Sequence, residues 1–270
     1  MKEGSRHCCD APCDMSTKRS VMSIAQLAAA GVGLAATSYA AYVGLTWYRY
    51  GHANHAGSDD QDVLLDTFMP DYEVVERHRV RIAAPAEIVL MAASEMDLQG
   101  SLISRGIFKA RELILGADPD ALVRPQGLLA LVKSIGWGVL AEIPGREIVM
   151  GALTQPWKAN VVFRALPPDE FAAFHEPDYV KIVWTLRADP LGPAESMFRT
   201  ETRAVSTDPA SRARFRRYWS FLSPGIIVIR RLSLGPLKVE AERRARDSRP
   251  SPVKTDLEGG NAIRSVPRGV

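Results

Sequence analysis

Residues 194–247, AESMFRTETRAVSTDPASRARFRRYWSFLSPGIIVIRRLSLGPLKVEAERRARD, join a strand pattern directly to a long basic helix pattern, and that junction decides the class of fold. Across Ser196–Thr207, Phe198, Thr200 and Thr202 alternate with Arg199, Glu201 and Arg203, the period of a strand with two unlike faces. Asp208 then offers a side-chain cap and Pro209 suits a first helical turn. From Ala210 onward Phe215, Trp219, Leu222, Ile226, Ile227 and Ile229 recur at steps of three and four, with Arg212, Arg216, Arg217, Arg230 and Arg231 in the positions between. An apolar stripe of this length needs a broad partner. Pro224-Gly225 and Gly235-Pro236 predict a kink or break in the helix.

The partner surface is legible upstream. Strand patterns run over Trp137–Ile143, Arg146–Gln155, Ala159–Leu166, Tyr179–Ala188 and Ser196–Thr207, with turn chemistry at Pro144-Gly145 and at Asp189–Pro193. If the last two strands pair across that turn, Ile182, Trp184 and Leu186 share a face with Phe198, Thr200 and Thr202. Lys181, Arg187, Arg199, Glu201 and Arg203 then point the other way, as a solvent-side ladder. Before these strands, Tyr72–Ile82 alternates Val74, Glu76, His78, Val80 and Ile82 with charged neighbours, and Pro85 opens a helix over Ala86–Met96. A second amphipathic helix is expected over Ser101–Gly116, a Pro/Asp loop over 118–126 and a short apolar helix over Gly127–Ile135. The class is α+β: an antiparallel sheet wrapped around a closing C-terminal helix.

Between Ser20 and Tyr48 there is no charged residue, and Val21–Tyr48 is long enough to cross a bilayer, which takes about 20 apolar residues. Trp47, Tyr48 and Tyr50 beside Arg49 resemble an interfacial belt. A cleaved leader with Ser38 and Ala40 at the cleavage spacing is the competing reading, but the apolar run continues past that point. Lys2, Arg6, Lys18 and Arg19 precede the segment and only Arg49 follows closely, so the N-terminus is expected in the cytoplasm and the globular part outside it. Gly31, Ala35, Ala36, Ala40 and Gly44 stand at small-residue spacings that permit helix pairing. The expected division is a tail at 1–20, the membrane helix at 21–48, a linker at 49–69, the domain at 70–247 and a Pro/Gly/Ser-rich tail at 248–270.

The 270 residues are 46% hydrophobic with a formal charge of +3, enough for one good core plus appendages. The basic residues concentrate in the closing helix, where they read as its solvated face and not as a nucleic-acid footprint. Cys8, Cys9 and Cys13 all lie in the N-terminal tail, so the fold does not depend on disulfides. His7 beside two of them lacks the paired spacing of a zinc site, and His52 and His55 sit among Gly and Asn, so no metal or other cofactor is expected. No phosphate-binding glycine loop, nucleophile elbow or zinc-helix motif is present, and no catalytic residue is assigned. His78 and His175 show no partner for acid–base work in the sequence. Glu201 between Arg199 and Arg203 would make a polar anchor if that set turned inward, though the arginines would weaken it as a base.

The segments YEVVERHRVRIAAPAEIV (72–89), GWGVLAEIPGREIVMGALTQPW (136–157), YVKIVWTLRADPLGP (179–193) and FRTETRA with RARFRRYWSFLSPGIIVIRR (198–231) resemble the SRPBCC, or START-like, superfamily. Within it, the likeness is to bacterial proteins with an N-terminal hydrophobic segment. The resemblance covers roughly residues 70–245. It implies the helix-grip fold and a cavity between sheet and C-terminal helix that holds lipids, sterols, polyketides or similar molecules. On that expectation Trp137, Trp157, Ile182, Trp184, Phe198, Thr200, Trp219, Leu222 and Ile226 line the cavity, with plain core packing as the alternative for the tryptophans. Arg199 and Glu201 are the polar anchor candidates. The expected role is a membrane-anchored binder of a hydrophobic small molecule or lipid. The alternatives are a cyclase or hydrolase on such a substrate, or a module docking on membrane or protein without a ligand; no protein partner is identified.

Overall fold

The computed structural model describes residues 15–53, 57, 61–97 and 127–248. The Cys8/Cys9/Cys13 tail, His55, the expected 101–116 helix and the 249–270 tail lie outside the described residues. The elements are α1 (Met15–Arg49), α2 (Val63–Phe68), β1 (Val74–Ile82), α3 (Ala86–Glu95), α4 (Leu128–Ser134), β2 (Gly138–Ile143), β3 (Glu147–Thr154), β4 (Phe163–Arg164), α5 (Pro168–Ala173), β5 (Val180–Gly192), β6 (Glu195–Ser206) and α6 (Pro209–Asp247).

One antiparallel sheet in the order β1-β6-β5-β3-β2, with β4 on β3, carries the fold. The register sets Val74, Glu76, His78, Val80 and Ile82 of β1 opposite Ala204, Thr202, Thr200, Phe198 and Ser196 of β6. Ile182, Trp184, Leu186 and Ala188 of β5 lie opposite Ala204, Thr202, Thr200 and Phe198 in turn. Strand alternation therefore puts Glu76 and His78 on the same inner face as Trp184 and Phe198. That face is covered by α3 and α6, with Ile82, Val89, Met150, Leu186, Phe198, Leu237 and Ala241 in one buried cluster. This is the helix-grip arrangement: a mixed helix and antiparallel-sheet domain closed by a long C-terminal helix.

Capping accounts for the start of α6. The Asp208 carboxylate accepts from the Ala210 and Ser211 amides, while the Ser211 hydroxyl accepts from the Asp208 amide. The expected break at Pro224-Gly225 or Gly235-Pro236 does not occur, and the helix runs without interruption to Asp247. Each proline removes one N–H, and beside Pro224 α1 packs on the same turn. Tyr39 Oη donates to the Phe221 carbonyl at 2.6 Å, and Tyr42 Oη lies 3.0 Å from Ser223 Oγ.

Two strand expectations change in extent. Asp189–Pro193 is largely strand, because β5 continues to Gly192 through a register shift after Pro190 and leaves only Pro193-Ala194 as the turn. The Ala159–Leu166 strand shrinks to Phe163–Arg164 at the sheet margin, ahead of Pro167 and Pro168. Gly136, at φ +104°, lets the chain turn into β2; a Cβ there would stand 2.2 Å from the Phe163 carbonyl oxygen.

The outer face of the sheet is not open to solvent. Asp62 caps α2 through the Leu65 amide at 2.9 Å, and Leu65 and Met69 are buried with Leu140, Val149, Leu153, Phe171 and Val183. The expected 49–69 linker is thus tied at both ends: Gly51 N donates to Glu73 O at 3.0 Å, and 62–69 packs on the sheet. Tyr50 is buried edge-on against Phe215 and donates to Glu73 at 2.6 Å, which joins α1 directly to the domain. Within α1, Ile24–Arg49 is long and apolar enough to cross a membrane.

Candidate functional site

The outer face overturns the expected solvent-side ladder. Arg203 is 1% exposed and Glu201 6%. Arg203 donates to Glu201 at 2.7 Å, to Asp66 at 2.5 Å and to the Met69 carbonyl at 2.8 Å, and its guanidinium stacks 4.7 Å above Tyr72. Arg77 adds bonds to Glu201 at 2.9 Å and to the Tyr72 hydroxyl at 2.7 Å. Asp189 accepts from Arg187 at 2.8 Å and Arg199 at 3.0 Å. Glu147 lies buried beside Asp62, and its carboxyl is raised first by burial and then by the hydrogen bond and charge of Asp62. A cleft of about 180 Å³ opens here, lined in part by Asp62, Arg77, Arg79, Arg187, Arg199 and Glu201. Guanidinium and carboxylate groups around it are turned onto one another, so its chemistry is that of a clamp between α2 and the sheet. Arg199 and Glu201, the polar anchor candidates, belong to this outer network and not to the inner face.

The inner face gathers the expected lining residues into two groups. Trp184 is buried and donates through Nε1 to Thr200 Oγ1 at 2.9 Å; Trp137 meets it edge-on at 6.4 Å and leans on Phe163 at 5.4 Å, and Phe198 is buried in the same cluster. Towards the start of α6, Ile182, Trp157 and Trp219 pack around Phe215, with Arg214 over the Trp157 ring. Leu222 and Ile226 are half-buried along α6 between these groups.

A polar set that the sequence reading did not assemble stands there too. Arg230 was expected on the solvated side of the helix, but its guanidinium reaches the sheet and donates to Thr202 Oγ1. The reason is helical register: Arg230 is seven residues from Ser223 and seven from Leu237, both buried, and so shares their line. That spacing is the signal by which it is found. Glu76 and His78 face it from β1, and His78 Nε2 lies 3.9 Å from Glu76 Oε2. Burial raises the Glu76 carboxyl against the pull of Arg230 and Arg231, while burial and the same two cations lower the His78 imidazole. Burial brings Arg230 down to about 10. Two buried atoms of this set, His78 Nε2 and Arg230 Nη1, have no hydrogen-bond partner among the described residues.

No family model matches the chain, and no curated protein matches it. Among solved structures it is similar to the Zhui aromatase/cyclase from Streptomyces sp. R1128, at 14% identity over 63% of this chain and 94% of that one, with a TM-score of 0.23. It is also similar to a START superfamily protein from Mycobacterium smegmatis, at 12% identity over 64% and 97% of the two chains, TM-score 0.24. A third likeness is to norcoclaurine synthase from Thalictrum flavum in complex with dopamine and hydroxybenzaldehyde, at 10% identity over 73% and 99%, TM-score 0.25. The fold itself stands on the strand order and closing helix described above.

Proposed function

We propose that this is a membrane-anchored binding protein for a hydrophobic small molecule with a polar, hydrogen-bond-accepting end, held between the inner sheet face and α6. The observation that carries the reading is the pair of buried atoms without a hydrogen bond among the described residues, His78 Nε2 and Arg230 Nη1, set among Glu76, Thr200 and Thr202 beside apolar walls. A buried polar atom left without a partner costs about 1–3 kcal/mol, and a charged one more. A ligand oxygen accepting from Arg230 Nη1 removes that cost, while Trp184, Ile182, Leu222 and Ile226 offer surface to its apolar part. Anchoring through Val21–Tyr48, with the N-terminus in the cytoplasm, suits a ligand that partitions into lipid, because the tether keeps the domain beside its source.

The test uses the full chain purified from membranes in mild detergent, extracted and analysed by mass spectrometry. A hydrophobic molecule bearing a carboxylate, phosphate or other acceptor should be enriched with the wild type and lost from Arg230→Met. Arg243→Met, an exposed change on the same helix, should retain it. Equal recovery from wild type and Arg230→Met would sink the proposal.

A further inference from the structure

The outward side of α6 carries an apolar line that no other described element covers. Phe221 is 49% exposed, Val228 42%, Leu232 45% and Val239 67%. Their spacings of seven, four and seven residues place them on one side of the helix, opposite the buried line through Ser223, Arg230, Leu237 and Ala241. The line is about 27 Å long at 1.5 Å per residue. Exposed Arg217 stands on the same side before it and exposed Arg246 after it, so a cation brackets each end.

The line begins where α1 meets α6. Tyr39 is bonded to the Phe221 carbonyl, Tyr42 to Ser223, and Arg216 donates to the Trp47 carbonyl at 2.7 and 3.0 Å while lying 4.3 Å over its ring. The last turns of α1, from Tyr39 to Arg49, therefore run against the domain. What remains free to cross a bilayer is Val21 to Ser38, about 27 Å of helix, close to the roughly 30 Å of a hydrocarbon core. The membrane surface then meets the chain near Tyr39, level with Phe221. Tyr39, Tyr42, Trp47 and Tyr48 stand where an aromatic belt stands.

We infer that the Phe221–Val228–Leu232–Val239 face of α6 lies in the headgroup–acyl boundary of the bilayer that α1 crosses, with the bracketing arginines among the headgroups. This rests on the reading of α1 as a membrane anchor. Its consequence for the proposed ligand is direct: Arg230 faces the inner site from the same two turns whose outer side touches lipid. A molecule leaving the bilayer has about one helix diameter to travel.

The test places single cysteines in the full chain after Cys8→Ser, Cys9→Ser and Cys13→Ser, labels each with an environment-sensitive fluorophore and reconstitutes the protein in nanodiscs. The discs carry phospholipid with a nitroxide high on the acyl chain. Ala36→Cys reports on α1, Val228→Cys and Leu232→Cys on the α6 line, and Val63→Cys, 74% exposed on α2 across the sheet, on water. The expected result is that the nitroxide removes most of the emission at 36, 228 and 232 and little at 63. Quenching at 36 with none at 228 and 232 overturns the inference and leaves the anchor standing. No quenching at 36 overturns both. Labels at 228 and 232 shielded from an aqueous quencher yet untouched by the nitroxide would mean that protein, and not lipid, covers the line, which also overturns it.

Discussion

Arg203→Met isolates the outer network with little change of volume. Arg203 is 1% exposed and holds Glu201, Asp66 and the Met69 carbonyl at 2.5–2.8 Å. Methionine fills the stem but leaves the carbonyl and Asp66 without their donor, and leaves Glu201 to Arg77 alone. Breaking a buried ion pair from one side costs about 3–5 kcal/mol. At roughly 2–4 °C per kcal/mol for a chain of this size, the melting temperature should fall by about 6–20 °C. The control is Arg243→Met on the exposed part of α6, where bonds of 2.8 Å to Glu240 and Asp247 are solvated and contribute under about 1 kcal/mol. Thermal unfolding of the full chain in detergent, followed by near-ultraviolet circular dichroism, reads both. If Arg203→Met loses no more than Arg243→Met, α2 does not cover the outer face in solution and the clamp described here is wrong.

Further outcomes are expected from single changes. Glu147, raised to about 8 by burial and Asp62, binds its proton more tightly folded than unfolded, where a glutamate titrates near about 4.3. Its stabilising contribution is thus complete at low pH and lost as pH rises through about 8. Glu147→Gln should gain on the wild type in denaturant midpoint between pH 5 and pH 8, and a difference that does not change with pH would contradict this. Gly136→Ala puts a methyl group into the Phe163 carbonyl at a positive φ, and should cost about 1–3 kcal/mol in chemical denaturation; unchanged stability would mean that the β4 approach is loose. Arg230→Met should fold normally, because it removes a buried charge that lacks a full set of partners, yet lose the co-purifying ligand.

Alternation made much of the sheet legible. The period of two put Ile182, Trp184 and Leu186 on one face with Phe198, Thr200 and Thr202, and Lys181, Arg187, Arg199, Glu201 and Arg203 on the other, as the strand register has them, and the Asp208-Pro209 pair placed the start of α6. What alternation could not say is what lies over each face. The cover of the outer face includes α2, six residues with Leu65 and the following Met69 as buried anchors, too short to show a helical period and placed between a polar linker and Pro70. Arg199, Glu201 and Arg203 therefore looked solvated although two of the three are buried. Arg230 hid for the opposite reason. A basic residue in a basic helix reads as exposed until the buried line Ser223–Leu237 is drawn through it. Pro224 and Pro236 suggested a break that the helix does not show, and at Pro224 local propensity says nothing of the α1 contacts to Phe221 and Ser223 beside it.

The measurement that bears most directly on the central claim is a structure of the full chain in a lipid nanodisc, examined between α6 and the inner sheet face. An elongated molecule is expected there, its polar end within about 3 Å of Arg230 Nη1 and its apolar part against Trp184 and Ile182. An inner face closed by side chains alone, with Arg230 turned to the chain's own acceptors, would contradict it.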